Sequence, residues 1–208
     1  TTPAGWLSYR LTGEWTLGIG DAAGMFPIDQ ETLDYRDDLL AEFEKLTTHA
    51  SVRPLAQLLP TVRRVGELAG TLNDVGAQLL GLPVGVPVAP AEGDQPAALA
   101  GSLIGEPGMV ALSFGTSVCA NSVGDRAFRG VSRESDHFCA PDGKPINMAW
   151  LRNGTTFMNT IVEMFGQAIG GDRSAGFAAV MPQVLKATPD CGGLHALPFM
   201  DDEPAVGV

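Results

Sequence analysis

Two runs of β-forming residues joined by a three-residue turn constrain the fold of this chain most strongly. The runs cover Met109 to Phe114 and Val118 to Val123, and the turn is Gly115-Thr116-Ser117. A short glycine-containing connection between extended segments predicts an antiparallel hairpin. A second hairpin is predicted in CAPDGKPINMAW, with Asp142-Gly143 at its turn. We therefore expect an antiparallel sheet in the second half of the chain.

The first hundred residues alternate helical and extended segments instead. Asp74 to Leu80 is predicted as a helix, with Asn73 as its cap and Gly81 as its stop. The segment VGVPVAP is expected to form a short buried strand, and QPAALAGSLIG a helix with Pro96 in its first turn. A further helix in YRDDLLAEFEKL would place four apolar residues on one stripe: Leu39, Leu40, Phe43 and Leu46. Strand–helix alternation followed by hairpins predicts a mixed α/β fold.

Composition excludes several classes of function. The chain carries 24 acidic and 13 basic residues, a net charge of -11, which argues against non-specific nucleic-acid binding. No apolar run approaches the roughly 18 residues that span a bilayer, so no membrane partner is expected. Cys119, Cys139 and Cys191 are too far apart for a metal knuckle and favour buried thiols in a reducing cytoplasm. We accordingly expect a cytoplasmic protein without a metal site of its own.

The stretch Gly18-Ile19-Gly20-Asp21-Ala22-Ala23 has the spelling G-x-G-x-x-A of a dinucleotide-binding loop. Such a loop must follow a buried strand and open a helix. The preceding LTGEWTL is a poor strand, and Pro27 falls where the helix should continue. A Rossmann-type NAD-dependent oxidoreductase is therefore kept only as an alternative of a different class, and Asp21 is expected to be structural.

Asp94, in the segment PVAPAEGDQPAALAG, is the first candidate catalytic residue. One interpretation is that it caps the helix that follows. The other is that it lies at the carboxyl edge of a sheet, where ligands of α/β proteins collect, and accepts a proton from a substrate hydroxyl.

The Gly115-Thr116-Ser117 turn is the second candidate, because its backbone N–H groups and two hydroxyls suit phosphate oxygens. Any hairpin can turn through these residues, so the motif has a purely structural interpretation as well. Neither a G-x-x-x-x-G-K-[ST] phosphate loop nor a G-x-S-x-G nucleophile elbow occurs elsewhere in the chain.

The two motifs in this order resemble the FGGY family of carbohydrate kinases. LSYRLTGEWTLGIGDAAGMFPID resembles that family's YRLTG segment, and LPFMDDEP stands where members often have LPFLSGERTP. The resemblance implies an actin-like, ribonuclease-H-like α/β fold of two domains with a cleft between them, each only partly present. Residues 1–104 would be the C-terminal part of the sugar-binding domain, and residues 105–208 the N-terminal part of the ATP-binding domain. We therefore expect the chain to be an internal segment of a longer protein.

The same resemblance assigns roles to individual residues. Asp94 would be the base that activates the sugar hydroxyl, and Gln95 would contact the sugar. Gly115, Thr116 and Ser117 would hold the phosphates of Mg²⁺-ATP, with Gly154 close to the nucleotide. The family's N-terminal phosphate hairpin, its metal-associated acid and its downstream adenosine loop are missing from this sequence.

The sequence defines the substrate less closely than it defines the type of reaction. The Gly-Thr-Ser turn, in place of the YGTG of glycerol kinases, favours a sugar, and we expect a ketopentose such as D-xylulose. Ribulose, another ketose or polyol, and glycerol remain alternatives, since GDQ is shared with glycerol kinases. A non-catalytic actin-like sensor of sugar or nucleotide is the non-enzymatic alternative. The expected partner is a small-molecule sugar, and a homodimer is left open.

Overall fold

The computed structural model describes residues 1–47, 53–128, 130, 134–203 and 207. The helices are α1 (Pro3–Thr12), α2 (Ile19–Met25), α3 (Asp37–Leu46), α4 (Asp74–Leu80), α5 (Asp94–Gly101), α6 (Thr155–Ala168) and α7 (Arg173–Val184). The strands are β1 (Thr16–Gly18), β2 (Ile28–Asp29), β3 (Asp34–Tyr35), β4 (Thr61–Arg63), β5 (Gly70–Thr71), β6 (Pro87–Val88), β7 (Val110–Phe114), β8 (Val118–Val123), β9 (Asp136–Cys139) and β10 (Pro145–Leu151). In the described part of the chain, no helix has the length and apolar character needed to cross a membrane.

Strand β1 is the centre of the first part of the chain. It pairs in parallel with β4, from Thr16 opposite Thr61 to Gly18 opposite Arg63. All three of its residues are buried, and α2 follows it directly, with Ile19 and Ala22 fully inaccessible to solvent. Burial on every side explains why β1 shows no polar–apolar alternation in the sequence.

Helix α1 is fixed to α2 through its cap. Thr2 caps α1 by accepting a hydrogen bond from the Gly5 N–H at 3.2 Å, and its hydroxyl donates to Asp21 Oδ2 at 2.6 Å. At the other end Gly13 adopts φ +82°, a left-handed conformation that glycine tolerates best.

Four strands form the antiparallel region that the turn motifs predict. Their order in the sheet is β7-β8-β10-β9. The Gly115–Ser117 segment joins β7 to β8, and Gly143, at φ +90°, lies in the turn between β9 and β10. Strands β9 and β10 pair in antiparallel register, from Cys139 opposite Pro145 to Asp136 opposite Met148. Both predicted hairpin connections are confirmed.

The chain divides into two compact units. The first contains residues Thr1–Ala111 and Asn121–Met148, and the second contains Leu112–Ala120 and Ala149–Val208. The division falls within β7, β8 and β10, whereas the sequence predicts one boundary after residue 104. The assignment of 1–104 and 105–208 to a sugar domain and an ATP domain stays a prediction.

In the second unit, α6 and α7 pack closely because two glycines face each other. A Cβ on Gly176 would lie 2.1 Å from the Val162 carbonyl oxygen, and one on Gly166 would lie 2.3 Å from the Asp172 carbonyl oxygen. The Asp172 side chain also caps α7 by accepting from the Ala175 N–H at 3.0 Å.

The predicted elements of the first half are found with two corrections. Helix α4 has the predicted cap, Asn73, which accepts from the Gly76 N–H at 2.8 Å. VGVPVAP was predicted to be a buried strand, but only Pro87 and Val88 are extended; Pro87 is exposed and Val88 half-buried. On the α3 stripe only Leu40 is buried, and Leu46 is 80% exposed. Amphipathic spacing predicts the helix but not whether a partner covers its whole apolar face.

Candidate active site

Asp94 is the first residue of α5 but does not cap it. The cap position belongs to Gly93, which has extended φ and ψ and no side chain to contribute. Asp94 is exposed, and its Oδ1 accepts a hydrogen bond from the Gln95 N–H at 2.9 Å. Among the described residues Oδ2 accepts no hydrogen bond, so it is available to a ligand. The capping interpretation of Asp94 is therefore wrong.

A cavity of about 140 Å³ lies beside Asp94 within the first unit. Its polar wall is formed by Asp21, Asp94, Gln95 and Asn121. Apolar residues of α5 and the second hairpin also line the cavity: Leu99, Phe138, Ile146 and Met148. A few polar groups among apolar lining residues are typical of sites for small organic ligands.

Gln95 is held by a buried residue of β8. The Asn121 Nδ2 donates a hydrogen bond to Gln95 Oε1 at 3.0 Å, and Asn121 is only 4% exposed. The structure thus places the two predicted sugar-site residues, Asp94 and Gln95, on one cavity and adds Asn121. Sequence reasoning missed Asn121 because nothing in a strand sequence shows which helix faces it.

Glu92 lies behind this wall and covers the start of α2. Its Oε1 accepts from the Gly20 N–H at 3.2 Å, and its Oε2 accepts from the Asp21 N–H at 2.8 Å. The pKa of Glu92 is raised to about 7: burial is the main cause and the nearby Asp21 charge adds to it, while the two backbone hydrogen bonds act in the opposite direction. A carboxylate of this chain therefore occupies the backbone donors that open α2.

This contact explains the glycines of the G-x-G-x-x-A motif. A Cβ on Gly18 would lie 2.3 Å from the Glu92 carboxyl group, and one on Gly20 would lie 2.6 Å from Pro96. The prediction from sequence context was wrong on two points: the motif does follow a buried strand, β1, and does open a helix, which ends at Met25 before Pro27. A dinucleotide is nevertheless disfavoured here, because Glu92 takes the place that a pyrophosphate needs.

The Gly115-Thr116-Ser117 turn lies in the second unit, together with Gly154. The Gly154 N–H donates to the Thr116 carbonyl at 2.8 Å, and the Thr155 N–H donates to the Gly115 carbonyl at 2.8 Å. A Cβ on Gly154 would lie 2.5 Å from the Gly115 carbonyl oxygen, so only glycine fits against the turn. The structure thus brings Gly154 together with the three residues predicted to bind phosphates.

The same turn carries hydroxyl groups that are available to a phosphate group. Gly115 and Thr116 are exposed and Ser117 is half-buried. Within the described residues neither the Thr116 nor the Ser117 hydroxyl makes a hydrogen bond. Hydroxyl groups on a tight turn can donate to phosphate oxygens, so the Thr116 and Ser117 side chains could hold a phosphate group.

Asn153 ties the segment before Gly154 to residues 200–203, a link that the sequence gives no signal for. Its Oδ1 accepts from the Met200 N–H at 2.8 Å and the Asp201 N–H at 3.0 Å. Its Nδ2 and its backbone N–H both donate to Glu203 Oε2, at 3.1 and 3.0 Å. Asn153 and Glu203 are both buried, which fixes the backbone immediately before Gly154.

The described residues contain no group of three or more His, Cys, Asp or Glu side chains arranged to hold a metal ion. Cys139 is buried at the cavity, Cys119 is half-buried and Cys191 is exposed. Burial raises the pKa of the Cys139 thiol to about 11, so this side chain stays protonated near neutral pH.

Comparison with solved structures identifies the class of fold. The xylulose kinase from Rhodospirillum rubrum superposes with a TM-score of 0.75 at 22% identity, over 96% of this chain and 38% of that chain. The fold is therefore the actin-like, ribonuclease-H-like ATPase fold, in agreement with the resemblance.

Sequence comparison relates the chain to a family of carbohydrate kinases. Residues 1–101 match the FGGY family of carbohydrate kinases, N-terminal domain. A xylulose kinase of Streptomyces coelicolor is 32% identical over 79% of this chain and 32% of its own length. A glycerol kinase of Myxococcus xanthus is 28% identical over 92% of this chain and 34% of its own length. The match to the FGGY family of carbohydrate kinases covers residues 1–101, and the chain spans about a third of the length of these curated relatives.

Proposed function

We propose that this chain is part of an enzyme that transfers the γ-phosphoryl group of ATP to a hydroxyl group of a sugar, with Asp94 as general base. The observation that carries the proposal is the Asp94 carboxylate. It lies on a cavity of about 140 Å³, does not cap its helix, and has an oxygen free of hydrogen bonds among the described residues.

The reaction needs one proton acceptor and a well-positioned hydroxyl. As the sugar oxygen forms its bond to the γ-phosphorus, the bond from that phosphorus to the bridging oxygen of ADP breaks. The hydroxyl proton passes to Asp94 Oδ2. Most of the rate enhancement in such transfers comes from positioning and electrostatics, so the main task of Asp94 is to orient the hydroxyl before it accepts the proton.

Gly115, Thr116 and Ser117 are proposed to hold the phosphates of ATP, with Gly154 supporting the turn from behind. The engaged carbonyls of Gly115 and Thr116 support this assignment, because they fix the conformation of the turn while its hydroxyls stay available. Bound Mg²⁺ would reduce the repulsion between the phosphates and the incoming oxygen.

D-Xylulose, a ketopentose, is the proposed substrate. The Gly-Thr-Ser turn favours a sugar over glycerol, and both a xylulose kinase and a glycerol kinase are among the relatives. D-Ribulose, other ketoses, polyols and glycerol are the alternatives that a substrate panel must include. The polar wall at Asp21, Asp94 and Gln95 suits any of these polyhydroxylated compounds.

Substitution of Asp94 by Asn tests the proposal in the complete polypeptide that contains this chain. Sugar-dependent ADP release, followed with a coupled assay against the panel, should fall by about 10²- to 10⁴-fold. ATP affinity should change little, because Asp94 and the phosphate-binding turn belong to different compact units.

Asp74→Asn is the matched control, since Asp74 is the first residue of helix α4 and exposed but does not line the cavity. It should keep wild-type turnover. Undiminished turnover in the Asp94 variant would refute the base assignment. ADP release by the wild type that no sugar increases would instead favour a non-catalytic sensor, and NADH binding would favour the oxidoreductase.

A further inference from the structure

We propose that Asn121 is a positioning residue that fixes the amide of Gln95 so that it presents hydrogen-bond donors, not an acceptor, to the sugar. This inference rests on the proposed function, in which Gln95 contacts the substrate. It gives strand β8, which lies outside the Asp94-Gln95 motif, a role in substrate selection.

The hydrogen bond between the Asn121 and Gln95 amides defines the orientation of the Gln95 amide. Asn121 Nδ2 donates to Gln95 Oε1 at 3.0 Å, so the Gln95 carbonyl oxygen is turned toward β8. Gln95 Nε2 makes no hydrogen bond within the described part of the chain. Its two N–H groups are therefore available, and Gln95, Asn121 and Asp94 all line the cavity.

The surroundings of Asn121 argue that an amide at this position has a role beyond packing. Val123, two residues further along β8 and hence on the same face, belongs to an apolar cluster with Leu99 and Ile146. Asn121, which is 4% exposed, places a polar group in this row. A buried amide is costly unless it is hydrogen-bonded, and its partner here is a cavity residue.

The orientation of the Gln95 amide decides which group of the substrate it can bind. A fixed Nε2 donates to an oxygen lone pair, so it pairs with a carbonyl or with a hydroxyl used as acceptor. Asp94 Oδ2 accepts from a hydroxyl. Together the two residues would bind one acceptor group and one donor group of the sugar, a pattern that a sugar lacking the acceptor oxygen cannot satisfy.

The test uses binding without ATP, so that no transfer occurs. D-Xylulose, D-ribulose, L-fuculose and glycerol are titrated calorimetrically into the complete polypeptide, and the compound bound most tightly is used for all variants. Asn121→Asp has nearly the same shape, but its carboxylate accepts from Gln95 Nε2 and turns Oε1 toward the cavity. We expect it to weaken binding by about 10- to 100-fold, and Asn121→Ala, which only releases the amide, by about 3- to 10-fold.

A double variant separates positioning from general damage. In a Gln95→Ala background, Asn121→Asp should change the affinity by less than about twofold, because there is no amide left to turn. Asn147→Asp is the matched control: Asn147 is also a strand asparagine whose side chain binds another side chain, His137 Nδ1 at 2.8 Å, but it does not line this cavity. It should leave the affinity unchanged, and thermal unfolding confirms that each variant is folded.

Three results would overturn the positioning role. One is an equal loss of affinity from Asn121→Asp with and without Gln95; another is no loss at all; the third is a wild type that binds none of the four compounds. The proposed kinase function fails on a different measurement, the absence of sugar-dependent ADP release, so the two failures are distinguishable.

Discussion

Two segments of this chain resemble phosphate-binding loops in sequence, but they differ in what their backbone groups bind. In Gly18-Ile19-Gly20-Asp21 the N–H groups of the last two residues donate to the Glu92 carboxylate. In Gly115-Thr116-Ser117 the hydrogen bonds join backbone groups: the Gly115 and Thr116 carbonyls accept from the N–H groups of residues 155 and 154, and the Gly115 N–H donates to the Ser117 carbonyl at 2.9 Å. The Gly20 and Asp21 N–H groups are therefore already bound within the fold. The Thr116 and Ser117 hydroxyls, in contrast, are available to a ligand among the described residues.

The comparison shows that a glycine motif indicates that another group lies close to the backbone. It does not indicate whether that group is a ligand or part of the same chain. At Gly18 and Gly20 the approaching groups are Glu92 and Pro96 of the same chain. At Gly154 the approaching group is the backbone of the turn itself. Only the second arrangement leaves a surface for a ligand, and each glycine can be tested by filling the space with a methyl group.

Gly154→Ala should have the largest effect. Its Cβ would overlap two backbone carbonyl oxygens, 2.5 Å from that of Gly115 and 2.6 Å from that of Thr116, and backbone cannot move aside as a flexible side chain can. We expect a loss of about 3 to 4 kcal/mol in stability and at least tenfold weaker Mg²⁺-ATP binding by calorimetry. Gly105→Ala, where a Cβ meets open space, is the control, and an unchanged ATP affinity in the Gly154 variant would separate this glycine from the phosphate site.

The Glu92 carboxyl group, which binds the N–H groups of Gly20 and Asp21, should make the stability of the protein depend on pH. Burial raises the pKa of Glu92 to about 7, from about 4.5 in the unfolded chain. The folded state therefore binds this proton more tightly than the unfolded state does. Its contribution to stability is fully present below pH 4.5 and is lost as the pH rises through 7, by up to about 3 kcal/mol.

Glu92→Gln should remove that dependence. Glutamine can still accept from one of the two N–H groups through its carbonyl oxygen but has no proton to lose. Urea unfolding at pH 5 and pH 8 should show a free energy of unfolding that falls more for the wild type than for the variant. Equal falls in the two proteins would mean that Glu92 keeps an ordinary pKa in the folded state.

The parts of the fold that follow from local rules could be predicted from the sequence. Gly115-Thr116-Ser117 and Asp142-Gly143 specify hairpin connections through turn chemistry, and Asn73 with Gly81 brackets α4. Asp94 and the Gly-Thr-Ser turn were found as candidates for the same reason, since each stands at a recognisable junction between elements.

The supporting contacts could not be predicted, because each joins residues that are distant in the sequence. Glu92 meets Asp21 across 71 positions, Asn121 meets Gln95 across 26, and Asn153 meets Glu203 across 50. Strand β1 was missed for a related reason: its three residues are too few to show a period, and tertiary burial alone defines them.

Gly20→Ala and Gly24→Ala compare two glycines of the same helix and have the smallest expected effect. At Gly20 the methyl group would lie 2.6 Å from the Pro96 ring, which is tied to its own backbone, and 2.9 Å from Glu92 Oε2, which can shift slightly, so we expect a loss of about 2 kcal/mol. At Gly24 the nearest atom is Phe138 Cε1 at 3.6 Å, an ordinary contact, and the helix gains from alanine, so stability should stay equal or rise by up to about 1 kcal/mol. Chemical denaturation of both variants decides the matter: equal losses would mean that the helix itself, and not the approach of Glu92 and Pro96, requires its glycines.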